Sequence, residues 1–189
     1  FYFDIWGSVD LSSAQDTDYA NEIDLSVGWT GNLGKTGLNV DVGLSHFNIY
    51  QLGQWDKSDI MELYIELSLA EPIEIVRDAF SINPYLRTET MRDCGSGESI
   101  NFETTIHFGL KSDWKITDEI SVNQKIRMVY DPGIFDLAAG FVLMYDASVD
   151  VKIFKELTWN AVQVRQSVPF VSDRRDTSTV LGTGFTLNF

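Results

Sequence analysis

Several things are scarce in this chain of 189 residues, and each scarcity excludes something. There is one cysteine, Cys94, in the loop-like stretch CGSG, so neither an internal disulfide nor a thiolate metal site can form. Two histidines without cysteine partners are poor material for zinc, and acidic stretches such as SAQDTDY lack calcium-loop spacing. No metal or other cofactor is expected. Basic residues are half as many as acidic ones, 14 against 28, for a formal charge of -14. Phosphate backbones need clustered Lys and Arg, so nucleic acid is excluded as a partner and a cationic solute fits better. The longest apolar run, LAAGFVLMY at 137–145, falls well short of the roughly 20 residues of a membrane-spanning helix. The opening FYFDIWGSVD has neither methionine nor a basic-then-apolar leader, so the numbered chain reads as processed or as lacking its true beginning.

What the chain has in abundance is alternation. Ile23, Leu25, Val27 and Trp29 interleave with Glu22, Asp24, Ser26 and Gly28. Met61, Leu63, Ile65, Leu67 and Leu69 interleave with Glu62, Tyr64, Glu66 and Ser68, and the pattern continues to the end. Period 2 is the signature of strands with one apolar and one polar face, and no long stretch fits a helical period. Ten strands are predicted, at 1–11, 20–30, 37–50, 59–70, 79–91, 100–111, 119–130, 138–153, 158–171 and 178–189. Those at 79–91, 119–130 and 158–171 are weakest, because Thr88, Gln124 and Gln166 fall on the apolar phase. Connections are short on both sides and carry turn chemistry, as in GNLGKTG at 31–37 and YDPGIFD at 130–136. No linker divides residues 1–189, so they form one domain, an antiparallel meander.

Alternating strands suit a soluble barrel with its apolar phase inside or a membrane barrel with that phase facing lipid. Strands of more than ten residues match an oblique bilayer crossing better than the five or six usual in soluble sheets. Aromatics gather near strand ends, with Trp29, Trp114, Trp159 and Phe189 toward one rim and Tyr50, Trp55, Tyr130 and Phe170 toward the other. Such girdles suit membrane interfaces. An even strand number puts both termini on one side and lets the sheet close. The expected fold is therefore an all-β, transmembrane, up-and-down antiparallel β-barrel of about ten strands.

The last nine residues, LGTGFTLNF, place Leu181, Thr183, Phe185, Leu187 and Phe189 on one phase. This resembles the C-terminal signature of bacterial outer-membrane barrels. The resemblance implies that Leu181, Phe185, Leu187 and Phe189 carry the signal read by the barrel-assembly machinery. It also implies a Gram-negative outer membrane with its lipid and lipopolysaccharide as surroundings, and periplasmic termini. The first third, FYFDIWGSVDLSS, NEIDLSVGWTGNLGKTGLNVDVGLSHFNIY and MELYIELSLA, resembles the TorF-type putative porins over about 70 residues. That family usually has two more strands before the one matching Phe1 to Leu11, so the barrel either closes with ten strands or has twelve, with an N-terminal hairpin missing.

With the polar phase inside, the acids Asp4, Asp10, Glu22, Asp24, Asp41, Glu62 and Glu66 line the first four strands. Arg87, Lys111, Lys125, Arg127, Lys152 and Arg165 line the fifth to ninth. Glu89, Glu103, Asp146 and Asp150 bring the inward acids to eleven against six bases. Acids on one wall and bases on the other set up a transverse field that favours cations and orients polar solutes. The expected function is a porin-like, cation-leaning channel for small polar solutes or ions. The alternative is a filled, non-conducting barrel that scaffolds a larger outer-membrane assembly or oligomer. A third class is an outer-membrane enzyme; His107 lies near Glu103 and Thr105, and Ser45 precedes His46, but no Ser-His-acid spacing is evident, so no catalytic residue is assigned.

Overall fold

A computed structural model describes residues 1–8, 22–48, 60–93, 103–133, 139–170 and 177–188. Asp10, Tyr50, Trp55, Cys94 and Phe189 lie outside these, and of Glu22 only the backbone is described. The described strands are β1 (Tyr2–Ser8), β2 (Glu22–Asn32), β3 (Leu38–Asn48), β4 (Ile60–Leu69), β5 (Ile73–Val76), β6 (Phe80–Asp93), β7 (Glu103–Lys115), β8 (Ile120–Asp131), β9 (Gly140–Lys152), β10 (Leu157–Pro169) and β11 (Ser178–Asn188). Ten of them form a ring. Each pairs antiparallel with its sequence neighbour, β4 pairs with β6, and β1 pairs with β11 from Tyr2↔Asn188 to Ser8↔Gly182.

The barrel thus closes with ten strands. β1 is hydrogen-bonded to β2 on one side and β11 on the other, so the twelve-strand alternative has no open edge to join. Strands about 4.8 Å apart and tilted about 40° give a backbone radius of about 10 Å.

The side chains are arranged inside out. Val27, Leu63, Ile65, Phe108, Ile126, Val162 and Leu181 point outward and are about half exposed, whereas Glu62, Glu66 and His107 are 2–3% exposed on the inner face. Among the described residues of the ten barrel strands, the outward phase carries one charged side chain, Arg92, near a strand end. A barrel surface of this kind suits hydrocarbon, which solvates Leu and Phe but not carboxylates.

The inner face keeps the strands close by pairing tyrosine with glycine. Tyr2 lies against Gly28, Tyr64 against Gly43, and Tyr85 against Gly109, each ring occupying the space a Cβ would need. Here a glycine is required by close approach, not by backbone conformation.

Three features depart from the expected pattern. The fourth strand does not turn directly into the next: β5 continues its line along β6 after a break at Ala70–Pro72. Asn83 bridges the break, its side-chain amide donating to the Leu69 carbonyl and accepting from the Leu69 N–H, both at 3.0 Å. Pro84, with no N–H to offer, falls in the same gap. Second, β10 contains a bulge at Ala161, which resets the alternation so that Trp159 faces out while Arg165 faces in. Third, the sequence between described strands is unequal at the two ends. At one end it is the tight turns 33–37, 77–79, 116–119 and 153–156; at the other it spans 9–21, 49–59, 94–102, 132–139 and 170–177, most of which lies outside the described residues. Gly34 and Gly37, with φ of 58° and 74°, let the first of those turns reverse. Both termini lie at the short-turn end.

Candidate functional site

The inner face divides into a tightly paired side and an open side. On the paired side Arg87 of β6 reaches Glu62 of β4 at 2.8 Å, Glu89 of its own strand at 2.6 Å and Glu66 at 4.0 Å. Glu66 also binds Lys111 and lies 3.9 Å from Lys125. The Arg87 guanidinium stacks 3.8 Å from the centre of the Tyr64 ring, and Lys125 lies 4.6 Å from that of Tyr85. This follows from the register: Glu66 stands directly opposite Arg87, and long basic side chains from β6, β7 and β8 converge on the shorter acids of β4. Buried charges persist only when paired in this way.

A second cluster lies on β8–β10. Arg127 and Arg165 share Asp146, at 2.5 Å and 2.7 Å, and Asn123 and Asn160 both donate to Asp150. Asp41 accepts hydroxyl bonds from Tyr2 at 2.8 Å and Tyr64 at 3.4 Å. Among the described residues, no basic group lies within 4.0 Å of Asp4 or Asp41.

The open side is a pair of joined cavities. One, of about 560 Å³, lies toward the longer connections and includes Asp24, Glu62, Lys125, Arg127 and Arg165 in its wall. The other, of about 390 Å³, lies toward the short turns and includes Tyr2, Thr30, Asp41 and Tyr64. Both are lined by Asp4, Ser26, Ser45, Arg87 and Thr186, so the free space runs down the β1–β3 wall past Arg87.

Of the acids expected in the lumen, Asp4, Asp24, Asp41, Glu62, Glu66 and Glu103 are on the inner face, and so are the bases Arg87, Lys111, Lys125, Arg127 and Arg165. They are not equivalent: Glu66 and Lys111 are held in the paired network, whereas Asp4, Asp24 and Asp41 border open space. Trp29, Trp114 and Trp159 face outward near the short-turn end, and Tyr130 and Phe170 near the other. Trp114 stacks on Phe80, Trp159 on Phe185, and Tyr130 lies tilted against Phe141. On β11, Leu181 and Phe185 face outward, and Leu187 shares their phase.

The histidines form no nucleophile relay among the described residues. His107 Nε2 is 2.7 Å from Thr105 Oγ1 and 3.1 Å from Glu89 Oε2, so hydroxyl and acid meet the same nitrogen, while Nδ1 is buried without a partner. A catalytic relay would place them on opposite nitrogens. Ser45 instead pairs with Ser26 at 2.8 Å. No three His, Cys, Asp or Glu side chains converge to hold a metal ion among the described residues. The roles of Arg87 and of the Tyr–Gly pairs were not visible in the sequence; tyrosines falling opposite glycines on the polar phase were the available signal.

A scan of family models finds no match, and so lends no support to the TorF-type resemblance; a search of curated proteins finds no match either. Among solved structures the chain is similar to the KdgM porin, with a TM-score of 0.51 and 10% identity, over 100% of this chain and 99% of that one. A second match, to a KdgM porin in complex with disordered oligogalacturonate, has a TM-score of 0.49 and 9% identity over 100% and 99% of the two chains. What the likeness establishes is the fold, a closed antiparallel β-barrel of the kind found in the KdgM porin.

Proposed function

We propose that this protein is an outer-membrane, porin-like channel for passive diffusion of small polar solutes or ions, with a preference for cations and with both termini periplasmic. The observation that carries the reading is the pair of joined, polar-lined cavities inside a barrel whose outer face is apolar. The porin fold and the short turns beside the termini support the location and orientation. The cation preference rests on unequal pairing. Arg87, Lys111, Lys125, Arg127 and Arg165 all have carboxylates within 4 Å, while Asp4 and Asp41 border the free space with no basic group within 4.0 Å among the described residues. A negative wall in a narrow pore raises the local concentration of cations. In this reading Trp29, Trp114, Trp159, Tyr130 and Phe170 anchor the barrel at the two interfaces, and β11 presents Leu181, Phe185 and Leu187 to the assembly machinery.

The test is single-channel recording in a planar bilayer across a salt gradient. Stable steps with a cation-side reversal potential are expected, reduced in Asp24→Asn and increased in Arg127→Gln. A second reading, a closed barrel that scaffolds a membrane assembly, is favoured by the network that fills the β4–β8 side. A folded, inserted barrel that passes no current would establish that reading in place of the channel.

A further inference from the structure

The channel reading leaves one buried titratable group on the lumen wall without a role. His107 of β7 is 2% exposed and borders the larger cavity together with Glu62, Arg87, Glu89 and Thr105. Its Nε2 lies 2.7 Å from Thr105 Oγ1 and 3.1 Å from Glu89 Oε2. A bare nitrogen lone pair would face the carboxylate at that distance, so the hydrogen of the neutral ring sits on Nε2, held between hydroxyl and acid. That leaves Nδ1 as a lone pair, buried and without a partner among the described residues. The ring can therefore take up a second proton at Nδ1 without breaking the bonds at Nε2.

Charged groups face it from each neighbouring strand. Arg87 stands directly opposite on β6, with Glu89 two residues along. Val129 stands opposite on β8, where Lys125, Arg127 and Asp131 share the inward phase. Glu103 and Lys111 lie on β7 itself, and Glu62 and Glu66 on β4, the strand beyond β6. Contacts join three of these groups to the ring in a line. Glu62 is 2.8 Å from Arg87, Arg87 is 2.6 Å from Glu89 Oε1, and the other oxygen of Glu89 meets His107. With the ring neutral, Glu89 has one cation in contact among the described residues; with the ring protonated, the same carboxylate lies between two. Acidification thus adds a positive charge to this wall whatever the other groups are paired with. It also divides the hold of Glu89 on Arg87, which borders both cavities.

We infer that His107 sets how strongly the lumen discriminates between cations and anions, by taking a proton from solution. The inference rests on the channel reading and adds to it a proton-responsive selectivity. With the ring neutral the cation preference is full. With the ring charged, cations passing Arg87 meet an additional repelling charge and anions an attracting one. Imidazole is suited to this because its charge changes between about pH 5 and 8, where ordinary carboxylates and lysines keep theirs.

The experiment is the reversal potential across a potassium chloride gradient in a planar bilayer, at about pH 8 and about pH 5.5, for the parent and His107→Gln. The parent's cation-to-anion permeability ratio should fall about twofold on acidification, as suits one charge partly screened by salt, and the glutamine variant should keep one ratio at both values. A parent without that fall overturns the inference and leaves the channel reading standing. So does an equal fall in His107→Gln, which assigns the response to lumen carboxylates such as Glu62. Should that variant fail to fold, ring NMR of the folded protein decides: the chain has two histidines, so His46→Gln leaves the signal of His107 alone. A ring that takes up no proton between the two pH values overturns the inference. No current at either pH overturns the channel reading, and the selectivity role with it.

Discussion

The sharpest perturbation is a charge placed on the outside. Phe108 is 57% exposed on the outer face of β7, flanked in register by Leu86 and Met128. It is the sixth residue of a 13-residue strand. At about 3.4 Å per residue and a tilt of about 40°, it stands roughly 13 Å from one strand end and 18 Å from the other. That is close to the middle of an apolar band about 25 Å tall, where an arginine facing lipid costs about 2–4 kcal/mol. On a water-facing sheet the same replacement of a half-exposed side chain would stay within about 0.5 kcal/mol. The two solvents therefore predict results several-fold apart. The assay is equilibrium folding into lipid vesicles against urea, followed by tryptophan emission, for the parent, Phe108→Arg and Ile116→Arg. Ile116 is 60% exposed but lies in a tight turn, so its arginine should cost under about 1 kcal/mol. Equal costs at the two positions, or a Phe108→Arg cost below about 0.5 kcal/mol, would refute the lipid-facing assignment.

Three further outcomes are expected. Arg87→Gln leaves Glu62, Glu66 and Glu89 without their shared cation, so the barrel should lose about 3 kcal/mol in the same urea assay while its unit conductance rises; an unchanged midpoint would remove Arg87 from the network. Gly43→Val puts side-chain atoms where the Tyr64 ring lies, and this ring supports Arg87 and donates to Asp41, so altered conductance and lower stability should appear together, whereas Gly34→Ala in the turn should leave conductance unchanged. In the turn at 116–119, the Lys115 ammonium 2.7 Å away holds the Asp118 carboxyl below the usual carboxylate range. Any stabilisation from that pair is present at neutral pH and disappears on acidification through the depressed value. An NMR titration should show the low midpoint and its return in Lys115→Gln.

The alternation revealed most of the barrel because period 2 fixes which face a residue takes without knowledge of its neighbours. All ten ring strands, the outward Trp29 and the inward acids among the described residues follow from it. It failed where a residue breaks the period by hydrogen bonding, not hydropathy. The β4–β5 break depends on the Asn83 amide standing in for backbone, and Asn83 looks like any polar residue in a string of letters. The bulge at Ala161 has no compositional signal at all. Within the lumen, inwardness was legible but consequence was not. Whether an acid is spent or available depends on register and on side-chain reach, which is why Glu66 is enclosed by bases from three strands while Asp41, among the described residues, accepts hydrogen bonds from the hydroxyls of Tyr2 and Tyr64.

The pairing of β1 with β11 has a bearing on how the molecule is made and where it gives way. Nearly every ladder joins strands adjacent in sequence, so those hairpins form with small loop-closure entropy. The β1–β11 seam joins Tyr2 to Asn188 and must wait for almost the whole chain. Among the described residues β1 also has seven, fewer than any other ring strand. Ring closure should therefore be the last and slowest step of assembly, and the same line should be the first to part under denaturant, with amide exchange in β1 and β11 leading that in β7 and β8. Until it closes, β1 and β11 each leave a row of unpaired N–H and C=O groups in hydrocarbon, so an intermediate arrested at that stage would be driven to pair with another chain.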